Sequence, residues 1–366
     1  MKVALITLHR VYNYGSALQA WSTQHMLETA GHEVSVIDYV TPHRTKRAIF
    51  REQSANVKQS GLQKSVYRFL KMFSIILKEM TFGSFLRKNL HLTKKYITVE
   101  DLERDPPQAD IYVTGSDQVW NSKYNRGVDR GFFLDFLPEN AHRVAFVASF
   151  GATQLSLDEQ KKVSRYIGRY QAVSVRESSA KRIIESLGRM DAVWLIDPTL
   201  QVEKEIWVQM ASRRLIKDKY CILMLLYNED NHATEYARKI ADAKGLKLVK
   251  ISWDMKKSNM VDRLMTHRSP ADFLSLFNYA EFVVTNSFHG LAFSINLEKQ
   301  FIIVPRNEFN SRIESLLQLV GLQDRMVSDE QAAMEAAGRE IVYTPVRDLL
   351  DKERQRAAEF IRTSFY

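Results

Sequence analysis

Apolar residues open the chain as a run, Lys2 to Leu8, that reads as a buried strand, and the period then changes. After a loop from Arg10 to Ser16, the positions Ala17, Leu18, Trp21, Met26 and Leu27 follow helical spacing, so a helix is predicted over Ala17 to Ala30. Gly31 stops it, and Glu33 to Val40 reads as a second strand. A strand, a crossover helix and a second strand imply a parallel sheet with a right-handed connection. Three further apolar runs end in small or polar residues: Ala109 to Ser116, Val144 to Gly151 and Ala172 to Glu177. Each has the form of a central parallel strand whose C-terminal end carries polar groups, the position at which open α/β sheets bind ligands.

Ala192 to Ile196 forms one more strand, closed by Asp197-Pro198-Thr199, and the pattern then starts again. Strands are predicted at Tyr220 to Leu226, Leu246 to Ser252, Glu281 to Thr285 and Phe301 to Pro305. Helices are predicted at Ala233 to Ala243, Pro270 to Tyr279, Leu291 to Leu297 and Arg312 to Val320. A charged amphipathic helix, Arg347 to Ile361, ends the chain. The fold class expected is α/β, with two doubly wound domains facing a central cleft. Residues 1–199 form the N-terminal domain with a basic helical insertion at about 43–96, residues 200–340 the second domain, and residues 341–366 a helix packing back on the first. A chain of 366 residues exceeds what one core usually supports, which agrees with two domains.

Charge changes this picture in one place. The net charge is +9, yet from His43 to Tyr96 there are thirteen Lys and Arg against Glu52 and Glu79 alone, so the remainder is slightly acidic. Within that segment Gln63 to Met80 sets Val66, Phe69, Leu70, Phe73, Ile76 and Leu77 against Lys64, Arg68, Lys71 and Lys78. Such a basic amphipathic helix suits an anionic membrane surface, and equally a helix that packs its apolar face on the domain. No module that reads nucleic acid accompanies the charge, so nucleic acid is not an expected partner. The single cysteine, Cys221, lies in an apolar run and excludes internal disulfides and Cys-based metal sites. The apolar N-terminus is too short for a secretory signal, and no stretch approaches the ~18 apolar residues of a spanning helix. A cytoplasmic protein is expected.

Candidate chemistry falls at the strand ends. The turn Thr285-Asn286-Ser287-Phe288-His289-Gly290 joins a strand to a helix, whose N-terminus offers unpaired N–H groups to a phosphate or carboxylate. His289 would transfer protons beside that anion; alternatively Asn286 and Ser287 simply cap the helix. The loop Arg10 to Ser16 holds the standard ligand position of a doubly wound sheet, with Gly15 permitting close backbone approach, or is an ordinary capped loop. Neither a G-x-G-x-x-G fingerprint nor a G-x-x-x-x-G-K-[ST] loop occurs, so nicotinamide and ATP are weakly supported. In Thr114-Gly115-Ser116-Asp117-Gln118-Val119-Trp120-Asn121, Asp117, Gln118 and Asn121 suit hydroxyl groups, and Trp120 offers a flat face to a sugar ring. Arg176 and Arg312 suit a phosphate, or else interdomain ion pairs.

Seven blocks taken in order resemble the polysaccharide pyruvyltransferase family: Asn13 to Ala20, Thr114 to Asn121, Phe132 to Phe136, Ala148 to Gly151, Ser174 to Glu177, Asp197 to Thr199 and Ser287 to Gly290. The likeness runs from about residue 1 to 325 and leaves out the basic segment and the last forty residues. It implies a glycosyltransferase B-like pair of Rossmann-like domains that move the enolpyruvyl unit of phosphoenolpyruvate onto two sugar hydroxyls as a ketal. The sugar would belong to a lipid-linked surface polysaccharide at the inner face of the cell membrane. No metal and no cofactor beyond that co-substrate is implied. His289 and Arg176 are then the catalytic residues, with Asn286, Ser287, Gly290 and Arg312 on the donor side. The acceptor side comprises Asn13, Tyr14, Gly15, Gln19, Ser116, Asp117, Gln118, Trp120 and Asn121. In one branch of the family an Arg stands where this chain has Ser287, and in the nearer branch an Asp where it has Asn286. Loss of that carboxylate removes one influence favouring a protonated imidazole. Fold does not fix function. A glycosyltransferase using a nucleotide sugar and a non-catalytic glycan-binding subunit are the competing readings.

Overall fold

The computed structural model of the chain describes residues 1–55, 62–226, 232–253, 258–307 and 310–365. Seven strands, β1 (Lys2–Ile6), β2 (Glu33–Tyr39), β3 (Leu92–Tyr96), β4 (Ile111–Thr114), β5 (His142–Ala148), β6 (Ala172–Val175) and β7 (Val193–Trp194), form one parallel sheet in the order β3-β2-β1-β4-β5-β6-β7. Five more, β8 (Tyr220–Met224), β9 (Lys247–Ile251), β10 (Arg263–Met265), β11 (Phe282–Thr285) and β12 (Gln300–Ile303), form a second in the order β10-β9-β8-β11-β12. Leu5 pairs with Val36 on one side and Val113 on the other, and Val283 pairs with Ile222 and Phe301. The interiors of the central strands β1, β4, β5, β8 and β11 are buried on both faces, which is why they read as unbroken apolar runs.

The strand order reverses between β1 and β4 in the first sheet and between β8 and β11 in the second. At such a switch point the neighbouring loops leave in opposite directions and open a crevice at the C-terminal strand ends. Helix α1 (Tyr14–Thr29) starts three residues before the predicted position, because the cap is Asn13 and its side chain accepts the Gly15 N–H at 2.9 Å. The apolar period marks only the part of α1 that packs. Tyr14 stacks on Phe273 at 4.7 Å between ring centroids, so the helix that carries the first loop is in contact with a helix of the second unit, Pro270–Asn278. The helix Thr344–Ser364 lies against the first unit: Ser364 O meets His142 Nε2 at 3.1 Å, and Phe360 lies 6.1 Å from Phe146.

The basic segment is not helical throughout. It contains α2 (Lys46–Ala55) and α3 (Leu62–Lys78), but its end is β3, an edge strand with Lys94 and Lys95 exposed. Exposed lysines of this kind discourage further strand pairing. Residues 56–61 of the segment lie outside the described residues, as does Tyr227. Among the described residues no helix is long and apolar enough to cross a membrane.

Candidate active site

Both switch points deliver a capped helix start to the same cleft. On the first side Ser16 Oγ, in the opening turn of α1, donates to Asp117 Oδ2 at 2.6 Å. Asp117 follows β4 with φ 68°, a left-handed conformation that non-glycine residues seldom adopt and that recurs at functional sites. Asn121 caps the short helix Ser122–Asn125, and its amide donates to Gln118 Oε1 at 2.6 Å. On the second side Asn286 Oδ1 accepts the Leu226 N–H at 2.7 Å, tying the end of β11 to the chain beyond β8. Ser287 caps the helix Phe288–Asn296 by accepting the Gly290 N–H at 3.3 Å. The cleft between the two encloses about 430 Å³. Asn13, Ser16, Asp117, Gln118 and Asn121 line one wall, and Asn286, Ser287, His289, Arg306 and Arg312 the other. That volume suits a small ligand.

Behind the walls lies a buried ion cluster. Arg176 Nη1 donates to Asp197 Oδ2 at 2.8 Å and Nη2 to Asp117 Oδ1 at 3.2 Å, with Glu177 Oε2 at 4.0 Å from Nε. Asp197 is further held by the Thr199 N–H at 2.9 Å and the Thr199 hydroxyl at 2.6 Å. His289 Nε2 is buried without a hydrogen-bond partner, 3.8 Å from Asp197 Oδ2. Its ring lies so close to Gly15 that a Cβ there would stand 2.0 Å from Cγ and Nδ1. Glycine is therefore required by the approach of the two units, at a position where backbone conformation alone would accept alanine.

The electrostatics follow from burial. Burial would raise Asp117, but Arg176, His289 and the Ser16 hydroxyl hold it at about 2, and Asp197 is lowered by the same opposition. Burial likewise pulls Arg176 down, while Asp117, Asp197 and Glu177 lift it above its ordinary value. Burial raises the Glu177 carboxyl above its usual range despite Arg176 and Arg312. Burial lowers His289, which Asp197 and Asp117 oppose and Arg176 and Arg312 reinforce. Lowered from 6.5, the imidazole is neutral at neutral pH.

The structure brings together His289, Asn286, Ser287, Arg312, Asn13, Asp117, Gln118 and Asn121; Gly290 lies behind this lining with its N–H held by the Ser287 cap, and the expected contacts of the others are revised. Arg176 does not line the cleft; its side chain is buried between the carboxylates of Asp117 and Asp197 and the Phe288 ring, 5.0 Å from the ring centroid, so it fixes Asp117 and Asp197 instead of gripping a donor directly. Trp120 shows no face to a sugar: its indole stacks on Phe133 at 5.3 Å and its Nε1 donates to Phe132 O at 3.4 Å, since a large aromatic with a satisfied N–H gains most from burial. Tyr14 is buried among aromatic rings, Gln19 donates to Thr7 Oγ1, Ser116 donates to Val147 O, and Gly15 meets His289. These five therefore support the cleft from behind. Sequence reasoning missed Ser16, Lys123, Tyr124 and Arg306 as lining residues, and Asp197 as the partner of His289. Arg306 follows β12 by three residues, so the strand-end rule that singled out Asp117 applied to it as well.

Two parallel sheets that meet at their switch points across one cleft define the glycosyltransferase B-like class of two-domain α/β proteins. Solved structures with this architecture include UDP-GlcNAc 2-epimerase from Methanocaldococcus jannaschii, 13% identical, with a TM-score of 0.54 over 99% of this chain and 100% of that one. UDP-GlcNAc 2-epimerase from Neisseria meningitidis, bound to UDP-GlcNAc, is 11% identical with a TM-score of 0.53 over 100% and 99%. Within that class the chain belongs to the polysaccharide pyruvyl transferase family, whose model matches residues 13–308, and it is a transferase. No curated protein sequence matches it significantly.

Proposed function

We propose that the protein transfers the enolpyruvyl unit of phosphoenolpyruvate to two hydroxyls of a sugar, forming a pyruvate ketal. We take the sugar to belong to a lipid-linked precursor of a surface polysaccharide, met at the inner face of the cell membrane. The observation that carries the reading is the second wall of the cleft, where a capped helix N-terminus, Arg306, Arg312 and the buried His289 converge. Helix N-terminal N–H groups and guanidinium groups are the natural holders of a small compound bearing both phosphate and carboxylate.

With the donor's anions on that wall, the sugar rests against Asn13, Asp117, Gln118 and Asn121. Donor charge acts on His289 in the sense opposite to burial, so the ring takes up a proton as phosphoenolpyruvate binds. That proton passes to the methylene carbon, which becomes a methyl group, while one sugar oxygen bonds to C2 and releases its own proton to the imidazole. The C2–O bond to phosphate then breaks. The second hydroxyl takes the vacated place, and its proton leaves with the phosphate.

A thermal-shift panel tests the reading. Phosphoenolpyruvate at saturating concentration raises the Tm, whereas uridine and guanosine diphosphate sugars do not, because only a ligand of the native state stabilises it. The reverse pattern removes phosphoenolpyruvate as donor and favours a nucleotide sugar. His289→Ala abolishes ketal formation while keeping the fold.

A further inference from the structure

The apolar positions of α3 recur three and four residues apart: Val66, Phe69, Leu70, Phe73 and Ile76, followed by Met80 in the next turn. Such a stripe in a globular protein is ordinarily covered. Here it is bare, with Val66 50%, Phe69 62%, Leu70 56%, Phe73 50%, Ile76 47% and Met80 64% exposed. A contiguous apolar surface of this kind marks an interaction site.

Its foot is fixed. Beyond Lys78 the chain enters the π-turn Glu79–Gly83, where Glu79 accepts the Tyr12 hydroxyl at 3.0 Å and pairs with Arg87 at 3.1 Å and Lys46 at 3.3 Å. Phe82 is buried against Tyr14 and Trp253, at 5.1 and 5.2 Å between centroids. Ser74 Oγ meets His267 Nε2 at 3.1 Å, and Lys78 Nζ lies 4.9 Å over the Trp253 ring. Tyr12 immediately precedes Asn13, which lines the cleft, so the stripe is held close to the cleft by both units.

Charge decides what covers it. The segment from His43 to Tyr96 carries thirteen Lys and Arg against two acids, and Lys46, Arg47, Arg51 and Arg68 are exposed on α2 and α3. A second copy of this chain would bring two such fields together, whereas an anionic bilayer accepts the apolar stripe between its headgroups and the cations at its surface. We infer that α3 is a docking helix that lays its apolar face into an anionic lipid surface and so brings the cleft to acceptors carried there. The inference rests on the proposed pyruvyl transfer only for its purpose, since the contact itself requires neither donor nor sugar.

The full-length protein is floated with phosphatidylglycerol-containing vesicles and with pure phosphatidylcholine vesicles, in the absence of substrates. It rises with the former and far less with the latter, and high salt weakens the association. The variant Phe69→Ser/Leu70→Ser/Phe73→Ser loses at least about tenfold in vesicle partitioning, with an unchanged Tm and unchanged phosphoenolpyruvate turnover on a water-soluble acceptor, because exposed residues add little to the core. Equal flotation of variant and parent overturns the docking role of α3, as does a parent that ignores phosphatidylglycerol. A parent that is a dimer without lipid, made monomeric by the same substitutions, assigns the face to a second copy instead. Loss of turnover with vesicle binding intact is a failure of the pyruvyl-transfer reading alone.

Discussion

Asp197 Oδ2 stands 3.8 Å from His289 Nε2, a contact between the end of the first doubly wound unit and the helix start of the second. The carboxylate is held by Arg176 and Thr199, so it acts on His289 from a fixed place. It raises the imidazole pKa against burial, whereas Arg312 lowers it. His289 must carry a proton to serve the methylene carbon, so the basic limb of kcat/KM reports it as the free-enzyme acid. Asp197→Asn removes a raising influence and moves that limb to lower pH; Arg312→Gln removes a lowering one and moves it to higher pH. An unmoved limb in both variants assigns the titration to another group.

Gly15→Ala tests the close approach of the two units. In an exposed helix the substitution would stabilise by about 0.5–1 kcal/mol. Here the new methyl would meet the His289 ring at 2.0 Å, so the ring or the whole second unit must shift. A displacement on the order of 1 Å costs roughly 100-fold in rate when it moves a reacting group. The expected result is a kcat lower by about that factor in protein that still folds, with about 1–3 kcal/mol of stability lost to overpacking, and kinetics together with calorimetry check it.

Trp120 tests support against contact. Its burial against Phe133, Phe150 and Tyr170 implies that Trp120→Ala costs about 3–5 kcal/mol of stability. The milder Trp120→Phe leaves the acceptor KM unchanged in folded protein. A KM raised tenfold by Trp120→Phe, with Tm unaltered, would restore the sugar-stacking role.

That residue also shows how far the sequence speaks. Strand periodicity located both sheets because buried parallel strands are apolar on both faces, as in Val3 to Ile6 and Phe282 to Val284. The strand-end rule located Asp117 and His289 for the same reason. Direction was not legible: one strand end carries Asp117, which faces the cleft, and Trp120, which faces the core, and a pattern of residue types does not say which way each turns. Nor was the Arg176 cluster, whose partners Asp117 and Asp197 lie far along the chain and meet it only through sheet order. β3 and β10, short edge strands with few apolar residues, gave too weak a period to be seen.

Acid stability tests the cluster as a whole. Asp117 is held at about 2 against an ordinary 3.8, so the unfolded chain takes up that proton first. Its contribution, about 2 kcal/mol, is therefore complete above pH ~4 and disappears as the pH falls toward 2. His289, lowered from 6.5, acts with the same sign at higher pH: its contribution begins to fall away as the pH drops through about 6.5. Glu177 acts oppositely, because its raised carboxyl favours the folded state fully only below 4.5 and loses that effect as pH rises through its folded value. Urea unfolding across pH should show the parent losing stability in two stages, one setting in as the pH drops below 6.5 and one between about 4 and 2. Asp117→Asn flattens the lower stage and is less stable at pH 7, since Arg176 and Ser16 each lose a charged partner. A lower stage that survives this substitution undiminished would mean that another depressed carboxylate carries the acid sensitivity, Asp197 beside Arg176 or Asp38 beside His9 and Arg10, which Asp197→Asn and Asp38→Asn then distinguish.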